Sequence, residues 1–260
     1  MDINSFYSVS DTHIESYRNN GFVHLPQVCS KDEIKFFGDS IRRVVKDRSK
    51  ELNPALDDYF MQTLNLRFDC SKIMEFVISK RFGKIVAELM GVKAVRLFHE
   101  QILFKKPKTK STPWHQDLVY WPLDTNNALG MWMALCDVSS EMGPVVFAKG
   151  SHKHESRKHL VISEESEQYL GGIIEEYGYE IISVPMNAGD VTIHNGWTIH
   201  GALENSSNEL REAMIVTFYE DGTRVIIDNA WRENDARTYL DGCRHGEKAA
   251  SKINPVTWSN

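Results

Sequence analysis

The chain has 260 residues, of which 42% are hydrophobic and 25% are charged, the ordinary composition of a folded globular domain. Its 30 basic and 36 acidic side chains leave a formal charge of -6, which argues against a binding surface for nucleic acid or anionic membranes. No run approaches the roughly 18 apolar residues of a membrane span, and the first residues lack the pattern of a signal peptide. We therefore expect a cytoplasmic protein that contacts neither nucleic acid nor membrane.

Segments up to about residue 90 have helical patterns. Ser30 and Glu33 form a capping box, and apolar residues then recur at helical spacing, which predicts an amphipathic helix from Lys31 to about Lys46. A second helix is predicted from near Ser71 to Gly91, because a glycine suits a helix C-cap. We expect residues 1–93 to form a helical scaffold.

From Val95 onward the pattern changes to short β-rich runs separated by Gly, Pro, Asn and Asp. The predicted strands are Val95 to Phe104, Gly130 to Leu135, Val145 to Phe147, Glu180 to Val184, Asp190 to His194 and Ala213 to Tyr219. Short strands without intervening helices favour an antiparallel sandwich, jelly roll or barrel. We expect one domain of mainly β (α+β) class, with a β core over residues 94–223 and a C-terminal cover over 224–260. Two irregular stretches, Ser49 to Cys70 and Ser151 to Gly172, are typical of lids over a site.

The sequence Pro113-Trp114-His115-Gln116-Asp117 carries the main chemical signal. Residues two apart on an extended segment project to the same side, so His115 and Asp117 can direct an imidazole and a carboxylate to one point. His200 offers a second imidazole on a later β-like run. Two His and one carboxylate on one face of a metal suit non-haem Fe(II) working with oxygen and an organic acid. Taken alone, an H-x-D triplet also occurs by chance as a surface His beside a solvated Asp.

Arg211 enters an apolar β-run eleven residues after His200. A permanent charge directed toward a core needs an anionic partner, which a bound dicarboxylate would supply. A bridge to a local acid such as Glu209 or Glu212 is the competing interpretation.

These residues together resemble the phytanoyl-CoA dioxygenase family of Fe(II)- and 2-oxoglutarate-dependent oxygenases. The resemblance rests on His115-Gln116-Asp117, Gly143-Pro144, Gly150-Ser151-His152, Gly189-Asp190, His200-Gly201 and Arg211, and it extends from about Gly21 to Tyr219. It implies a double-stranded β-helix, a cupin-like jelly roll, in which His115, Asp117 and His200 hold the iron. It further implies that Arg211 binds the distal carboxylate of 2-oxoglutarate.

The resemblance suggests further contacts. Gln116 matches the middle residue of the family's triplet and is expected to contact the cosubstrate, and Trp132 falls where an aromatic ring often lies against 2-oxoglutarate. Ile102 and Phe104 share the strand parity that would face the pocket, although both are equally good core residues.

The positions just after the triplet and after the distal His carry two more expectations. Tyr120 and Trp121 are candidates for contacting substrate. The family commonly has a hydroxyl residue two after the distal His, and Ala202 stands there, so that contact is lost or supplied elsewhere. Halogenating relatives replace the carboxylate of the triplet with a small residue, so Asp117 favours hydroxylation over halogenation.

The expected function is oxidation, most simply hydroxylation, of an unactivated C–H bond of a small molecule, with Fe(II), 2-oxoglutarate and O2 and release of succinate and CO2. A Zn- or Mn-dependent jelly-roll hydrolase or isomerase and a non-catalytic binding module are the alternatives. Acyl-CoA, amino acid and natural-product substrates stay open, as do a monomer and a homodimer. Lys105, Lys106, Lys108 and Lys110 form either a basic patch for a CoA phosphate or a solvated loop.

Overall fold

The computed structural model describes residues 2–48, 58–154, 158 and 160–260. The helices are α1 (Asp11–Asn20), α2 (Lys31–Asp47), α3 (Ser71–Val77), α4 (Lys80–Met90), α5 (Glu164–Tyr177) and α6 (Ala230–Tyr239). The strands are β1 (Phe22–Leu25), β2 (Met61–Leu64), β3 (Ala94–Phe104), β4 (Thr112–His115), β5 (Ala128–Ala134), β6 (Val145–Ala148), β7 (Ile181–Ser183), β8 (Val191–Asn195), β9 (His200–Ala202), β10 (Ala213–Glu220) and β11 (Val256–Ser259). None of the described helices is long and apolar enough to cross a membrane.

The strands form two antiparallel sheets. The larger sheet has the order β1-β8-β5-β10-β3-β11, with β2 also paired to β3, and the smaller sheet has the order β4-β9-β6-β7. From β3 to β10 the chain passes repeatedly from one sheet to the other and back, so that β8-β5-β10-β3 face β4-β9-β6-β7. This is the path of a double-stranded β-helix, and the predicted fold is confirmed.

The two predicted helices are found, with one correction. The first, α2, begins at the predicted capping box, in which the Ser30 hydroxyl accepts from the Glu33 backbone N–H and the Glu33 carboxylate accepts from the Ser30 backbone N–H. The second is two helices, because the chain leaves α3 at Ile78 and Ser79 caps a new helix, α4. Gly91 ends α4 in the left-handed conformation at φ 72°, as its position predicts.

The regions predicted as scaffold and cover also contribute strands and a helix. β1 pairs with β8, and β2 and β11 pair with β3, so both regions extend the larger sheet. The predicted irregular stretches contain β2 and most of α5, and within them residues 49–57, 155–157 and 159 lie outside the described residues.

The larger sheet has two different faces. Met131 and Met133 of β5 pack in one hydrophobic cluster with Phe37 of α2 and other helical side chains. Trp132, between them on the strand, packs on the opposite side with Phe147 of the smaller sheet. The sheet therefore has a helix-facing side that forms the main core and a side that faces the interior of the sandwich.

A bulge in β3 decides which of its residues face this interior. Val216 of β10 pairs with Glu100, but Phe218 pairs with Leu97, so β3 has one extra residue between these pairs. Leu97 and Ile102 consequently pack on the same, helix-facing side although they are five residues apart. The bulge reverses the parity of the second half of β3.

Candidate active site

Neighbouring strands of the smaller sheet bring the two predicted histidine ligands together. β4 ends at His115 and β9 begins at His200, and these two residues are direct cross-strand partners. Asp117 begins a short 3-10 helix just past β4, which turns its carboxylate back toward both rings. One metal-binding atom from each residue lies within 4.8 Å of the others, the one such grouping in the described part of the chain.

Backbone carbonyls set the orientation of both imidazoles. Nδ1–H of His115 donates to the Pro113 carbonyl at 2.8 Å, and Nδ1–H of His200 donates to the Thr198 carbonyl at 2.9 Å. Because a carbonyl can only accept, both rings carry their hydrogen on Nδ1 and keep the Nε2 lone pair free. The Nε2 atoms lie 3.9 Å and 3.8 Å from the Asp117 carboxylate oxygens. Metal-binding histidines commonly have this arrangement.

Burial sets the protonation of the group. It lowers the pKa of His115 and of His200, so both imidazoles are neutral at neutral pH. Burial alone would raise the pKa of Asp117, but the imidazoles of His200, His194 and His115 more than offset this, and the pKa lies well below its ordinary value. The donor set, two neutral imidazoles and one carboxylate, fits a divalent first-row metal with open coordination positions.

His194, on β8, is a third imidazole beside Asp117. Its Nε2 lies 3.2 Å from Asp117 Oδ2, and its ring centroid lies 4.2 Å from that of His200. Gly130 on the adjacent strand makes room for this ring, because a Cβ there would lie 3.0 Å from His194 Cε1. Unlike the other two rings, His194 has no carbonyl partner on Nδ1 among the described residues. The structure therefore places His194 in contact with the metal-binding group.

Arg211 lies deep in the sandwich, only 2% exposed. Its guanidinium donates to the carbonyls of Gly143 and Leu103, and its Nε has no hydrogen-bond partner within the described part of the chain. Burial lowers its pKa to about 10. The local acid Glu212 instead pairs with Arg42. Among the described residues Arg211 has no acidic partner, which fits an anion-binding role.

Trp132 and two further residues lie near this guanidinium. The Trp132 ring centroid is 5.3 Å from Arg211 Cζ. Thr112 is the cross-strand partner of Ala202, and both residues line one cavity. Thr112 therefore places a hydroxyl-bearing residue next to Ala202, where the family commonly has a hydroxyl. Lys105 Nζ lies 3.3 Å from the Thr112 hydroxyl.

Lys105 requires a correction. It was grouped with three other lysines as a solvated loop or an exposed basic patch, yet it is fully buried, and burial followed by repulsion from Arg211 lowers its pKa to about 7. Just after β3, an isolated β-bridge pairs the backbone of Lys105 with that of the buried Arg211, so Lys105 lies inside the sandwich and not in a solvated loop. A second cationic group thus lies beside the predicted cosubstrate-binding residue.

Three residues that were expected to face the pocket or contact the cosubstrate are not among those that line the cavity in the described structure. Ile102 and Phe104 pack in the helix-facing core, because the bulge in β3 turns them away from the interior, and Leu103 lines the cavity in their place. Gln116 lies between His115 and Asp117 in sequence but does not line the cavity. Its amide donates to the carbonyls of His154 and Trp197 and so braces the surrounding loops.

A cavity of about 520 Å³ opens onto the three clustered side chains. Arg211, Trp132 and Thr112 line it on the Arg211 side. Tyr120 and Trp121, the candidates for contacting substrate, also line it. The sequence patterns missed α6, which contributes Trp231, Asn234, Asp235 and Tyr239, and they missed His99 and Gln101 of β3. The asparagine cap of α6, Asn229, was a signal that could have identified this helix.

The fold and this site define a class: jelly-roll enzymes with a mononuclear metal held by two histidines and a carboxylate. The family model for phytanoyl-CoA dioxygenase (PhyH) matches residues 17–213, and the chain belongs to that family. Bovine peroxisomal phytanoyl-CoA dioxygenase (Bos taurus) is 25% identical over 247 residues, covering 90% of this chain and 69% of that protein. A probable alpha-ketoglutarate-dependent hypophosphite dioxygenase of Stutzerimonas stutzeri is 25% identical over 162 residues, covering 59% of this chain and 54% of that protein.

Solved structures share the fold. The alpha-ketoglutarate-dependent carbocyclase SnoK from nogalamycin biosynthesis has a TM-score of 0.80 at 24% identity and covers 96% of both chains. The epimerase SnoN, solved with Fe3+, alpha-ketoglutarate and nogalamycin RO, has a TM-score of 0.79 at 23% identity and covers 95% of this chain and 98% of that chain. Family membership makes this chain a 2-oxoglutarate-dependent non-haem iron dioxygenase that uses Fe(II), 2-oxoglutarate and O2. The hydrolase and binding-module alternatives are not favoured.

Proposed function

We propose that this dioxygenase hydroxylates a C–H bond of a small molecule that enters the 520 Å³ cavity. His115, Asp117 and His200 would hold Fe(II), and Arg211 would hold the distal carboxylate of 2-oxoglutarate. The observation that carries the proposal is the pairing, in one cavity, of a three-residue metal-binding group with a buried arginine that lacks an acidic partner among the described residues.

The chain's own residues supply placement. The Pro113 and Thr198 carbonyls hold the two imidazoles with Nε2 toward the metal position, and His194 holds one oxygen of Asp117. When bound, Fe(II) with 2-oxoglutarate and O2 supplies the oxidant, and the cosubstrate leaves as succinate and CO2.

At the buried end, Arg211 offers a fixed charge for the cosubstrate, with Trp132 alongside. We further propose that Thr112, the cross-strand partner of Ala202, replaces the hydroxyl that Ala202 lacks, with Lys105 against the Thr112 hydroxyl. Apolar side chains at this end would exclude water from the distal carboxylate of 2-oxoglutarate, which strengthens its ion pair with Arg211.

The size of the cavity supports a small-molecule substrate, because it lies within the ordinary range for such sites. The charge of -6 supports a partner other than nucleic acid. Location in the cytoplasm stays a prediction from the sequence.

The test is succinate release by the full chain with Fe(II), ascorbate, 2-oxoglutarate and O2. Asp117→Ala is expected to abolish succinate release and to leave the far-ultraviolet circular dichroism unchanged. Asp190→Ala is unsuitable as a control, because that carboxylate caps backbone groups of Gln27 and Asn187. Asp39→Ala, at an exposed position on α2, is the matched control and should retain full activity. Turnover by Asp117→Ala at the wild-type rate would contradict the assigned ligand set.

A further inference from the structure

The part of the cavity beneath α6 is lined by aromatic rings. Trp231 and Tyr239 lie eight residues apart on the same face of α6, and Tyr120 and Trp121 face them from the segment that follows Asp117. Trp231 is 53% exposed, so this part of the cavity opens to solvent. Electron-rich ring faces around an open pocket are a known means of holding organic cations.

Asp235 lies on the same face of α6 and lines the cavity among these rings. The other acids of this helix region are paired, Asp228 with Arg232 and Glu233 with Arg237. Asp235 has no basic partner among the described residues, and burial raises its pKa to about 7. Burial and then the charge of Asp235 raise the pKa of Tyr239, and Asp235 adds to the larger effects of burial and Asp117 that raise the pKa of Tyr120.

His99 is a second buried polar side chain at this end. It is only 4% exposed, lines the cavity, and its Nδ1 has no hydrogen-bond partner among the residues that the structure describes. Its ring lies 4.6 Å from that of Tyr239 and 6.4 Å from that of Trp121. Burial, followed by the charge of Arg67, lowers the pKa of His99 to about 3, so the imidazole is neutral and can accept a hydrogen bond.

The unpaired carboxylate of Asp235 indicates the charge of the substrate once the charges of the bound Fe(II) and 2-oxoglutarate are taken into account. The formal charges of Fe(II), Asp117, 2-oxoglutarate and Arg211 cancel, and Lys105, the further cationic group, lies at the Arg211 end, so Asp235 is the unpaired acidic group at the substrate end. Building on the proposed function, we propose that the substrate carries a protonated amine, held by Asp235 within the rings of Tyr120, Trp121, Trp231 and Tyr239, on an apolar or aromatic body. His99 takes a hydrogen bond from the same substrate. A carboxylate at this position opposes a polyanion such as a CoA thioester.

The experiment compares probes that share one ring system and differ in charge. Tryptamine, N-acetyltryptamine, indole-3-propionic acid and CoA are titrated calorimetrically into the full chain, held anaerobically with Fe(II) and 2-oxoglutarate. The visible charge-transfer band of the Fe(II)–2-oxoglutarate complex is recorded in the same sample, so that a failure of the proposed function is seen separately from a failure of this inference.

Tryptamine is expected to bind at least about tenfold more tightly than the other three probes, the effect of one charge-assisted hydrogen bond. Asp235→Asn should remove this preference while leaving the band intact. It is expected to fold, because it is isosteric and removes a carboxylate that burial disfavours. Glu233→Gln makes the same change of charge at an exposed position of α6 and should alter tryptamine affinity by less than twofold.

Three results would overturn the inference while the band persists. These are equal or tighter binding of the neutral or anionic probes, unchanged tryptamine affinity in Asp235→Asn, and no binding of any probe at millimolar concentration. Loss of the band in the wild-type sample would instead overturn the proposed function.

Discussion

Replacing Arg211 with Met tests two effects of the buried guanidinium separately: its effect on the free energy of unfolding and its effect on the affinity for 2-oxoglutarate. Lowering the pKa of Arg211 to about 10 corresponds to about 3 kcal/mol of unfavourable burial in the protein without cosubstrate. Arg211→Met relieves this cost but loses the bonds to the Gly143 and Leu103 carbonyls, each worth about 1.5–3 kcal/mol. Because the lost bonds sum to about 3–6 kcal/mol and the relieved cost is about 3 kcal/mol, we expect the free energy of unfolding to fall by no more than about 3 kcal/mol.

With 2-oxoglutarate the expectation is different. Removing one partner of a buried ion pair costs about 3–5 kcal/mol, which raises Kd by two to three and a half orders of magnitude. At a 2-oxoglutarate concentration of about 1,000 times the wild-type Kd, the cosubstrate stabilises the wild-type protein by about 4 kcal/mol, or roughly 10 °C in Tm. The same concentration should stabilise Arg211→Met by only about 0.2–1.4 kcal/mol, so its shift in Tm should be at most about a third of the wild-type shift.

The assay is a thermal melt of the metal-loaded protein with and without 2-oxoglutarate. Arg42→Met is the matched control, because it removes an arginine whose acidic partners, Glu212 and Asp39, do not line the cavity. This control should keep the full cosubstrate-induced shift. A shift in Arg211→Met as large as that of the wild type would refute the role assigned to the guanidinium.

Three further predictions concern the neighbourhood of the site. His194→Gln should weaken metal binding about 10–100-fold in a Mn(II) titration, since it alters the contact with Asp117, and unchanged affinity would exclude this role. Gly189→Ala should lower the free energy of unfolding, measured in urea, by about 3 kcal/mol or more, because φ at Gly189 is +95° and the new Cβ would lie 2.0 Å from the Cys29 carbonyl oxygen. The control, Gly171→Ala in α5, has no neighbouring atom within 4 Å of the new Cβ and should raise the free energy of unfolding by about 0.5–1 kcal/mol. Asp235→Asn should raise Tm at pH 8 but not at pH 4. Burial raises the pKa of Asp235 in the folded protein to about 7, whereas the carboxyl group of the unfolded chain titrates near pH 4. The stability of the wild-type protein therefore falls as the pH rises from about 4 to about 7. A Tm difference independent of pH would contradict that account.

The grouping of the metal-binding side chains could be anticipated from the sequence because it depends on short-range geometry. His115 and Asp117 are two residues apart at the end of a strand, and a jelly roll brings a later strand beside it, which places His200 opposite His115. A glycine and a capping box likewise predicted helix ends, since these depend on the local backbone alone.

The walls of the cavity were less predictable because they depend on events distant in the chain. One extra residue in β3 reversed the face of Ile102 and Phe104, and no apolar pattern signals a bulge of this kind. The buried state of Lys105 follows from its bridge to Arg211, more than a hundred residues later. Helix α6 lacks a strong apolar stripe, since its buried face includes Arg232 paired with Asp228.

The attachment of α6 bears on how the specificity of this enzyme could be redesigned. The chain leaves β10 at Glu220 and returns to the sheet in β11 at Val256, and both strands flank β3. The ends of the intervening segment are therefore two strand spacings apart, about 10 Å, on a common support. Residues 221–255 thus form a segment that is anchored at both ends by strands of the larger sheet. Exchanging it for the matching segment of a relative would leave unchanged β4 and β9, which carry the histidines of the metal-binding group.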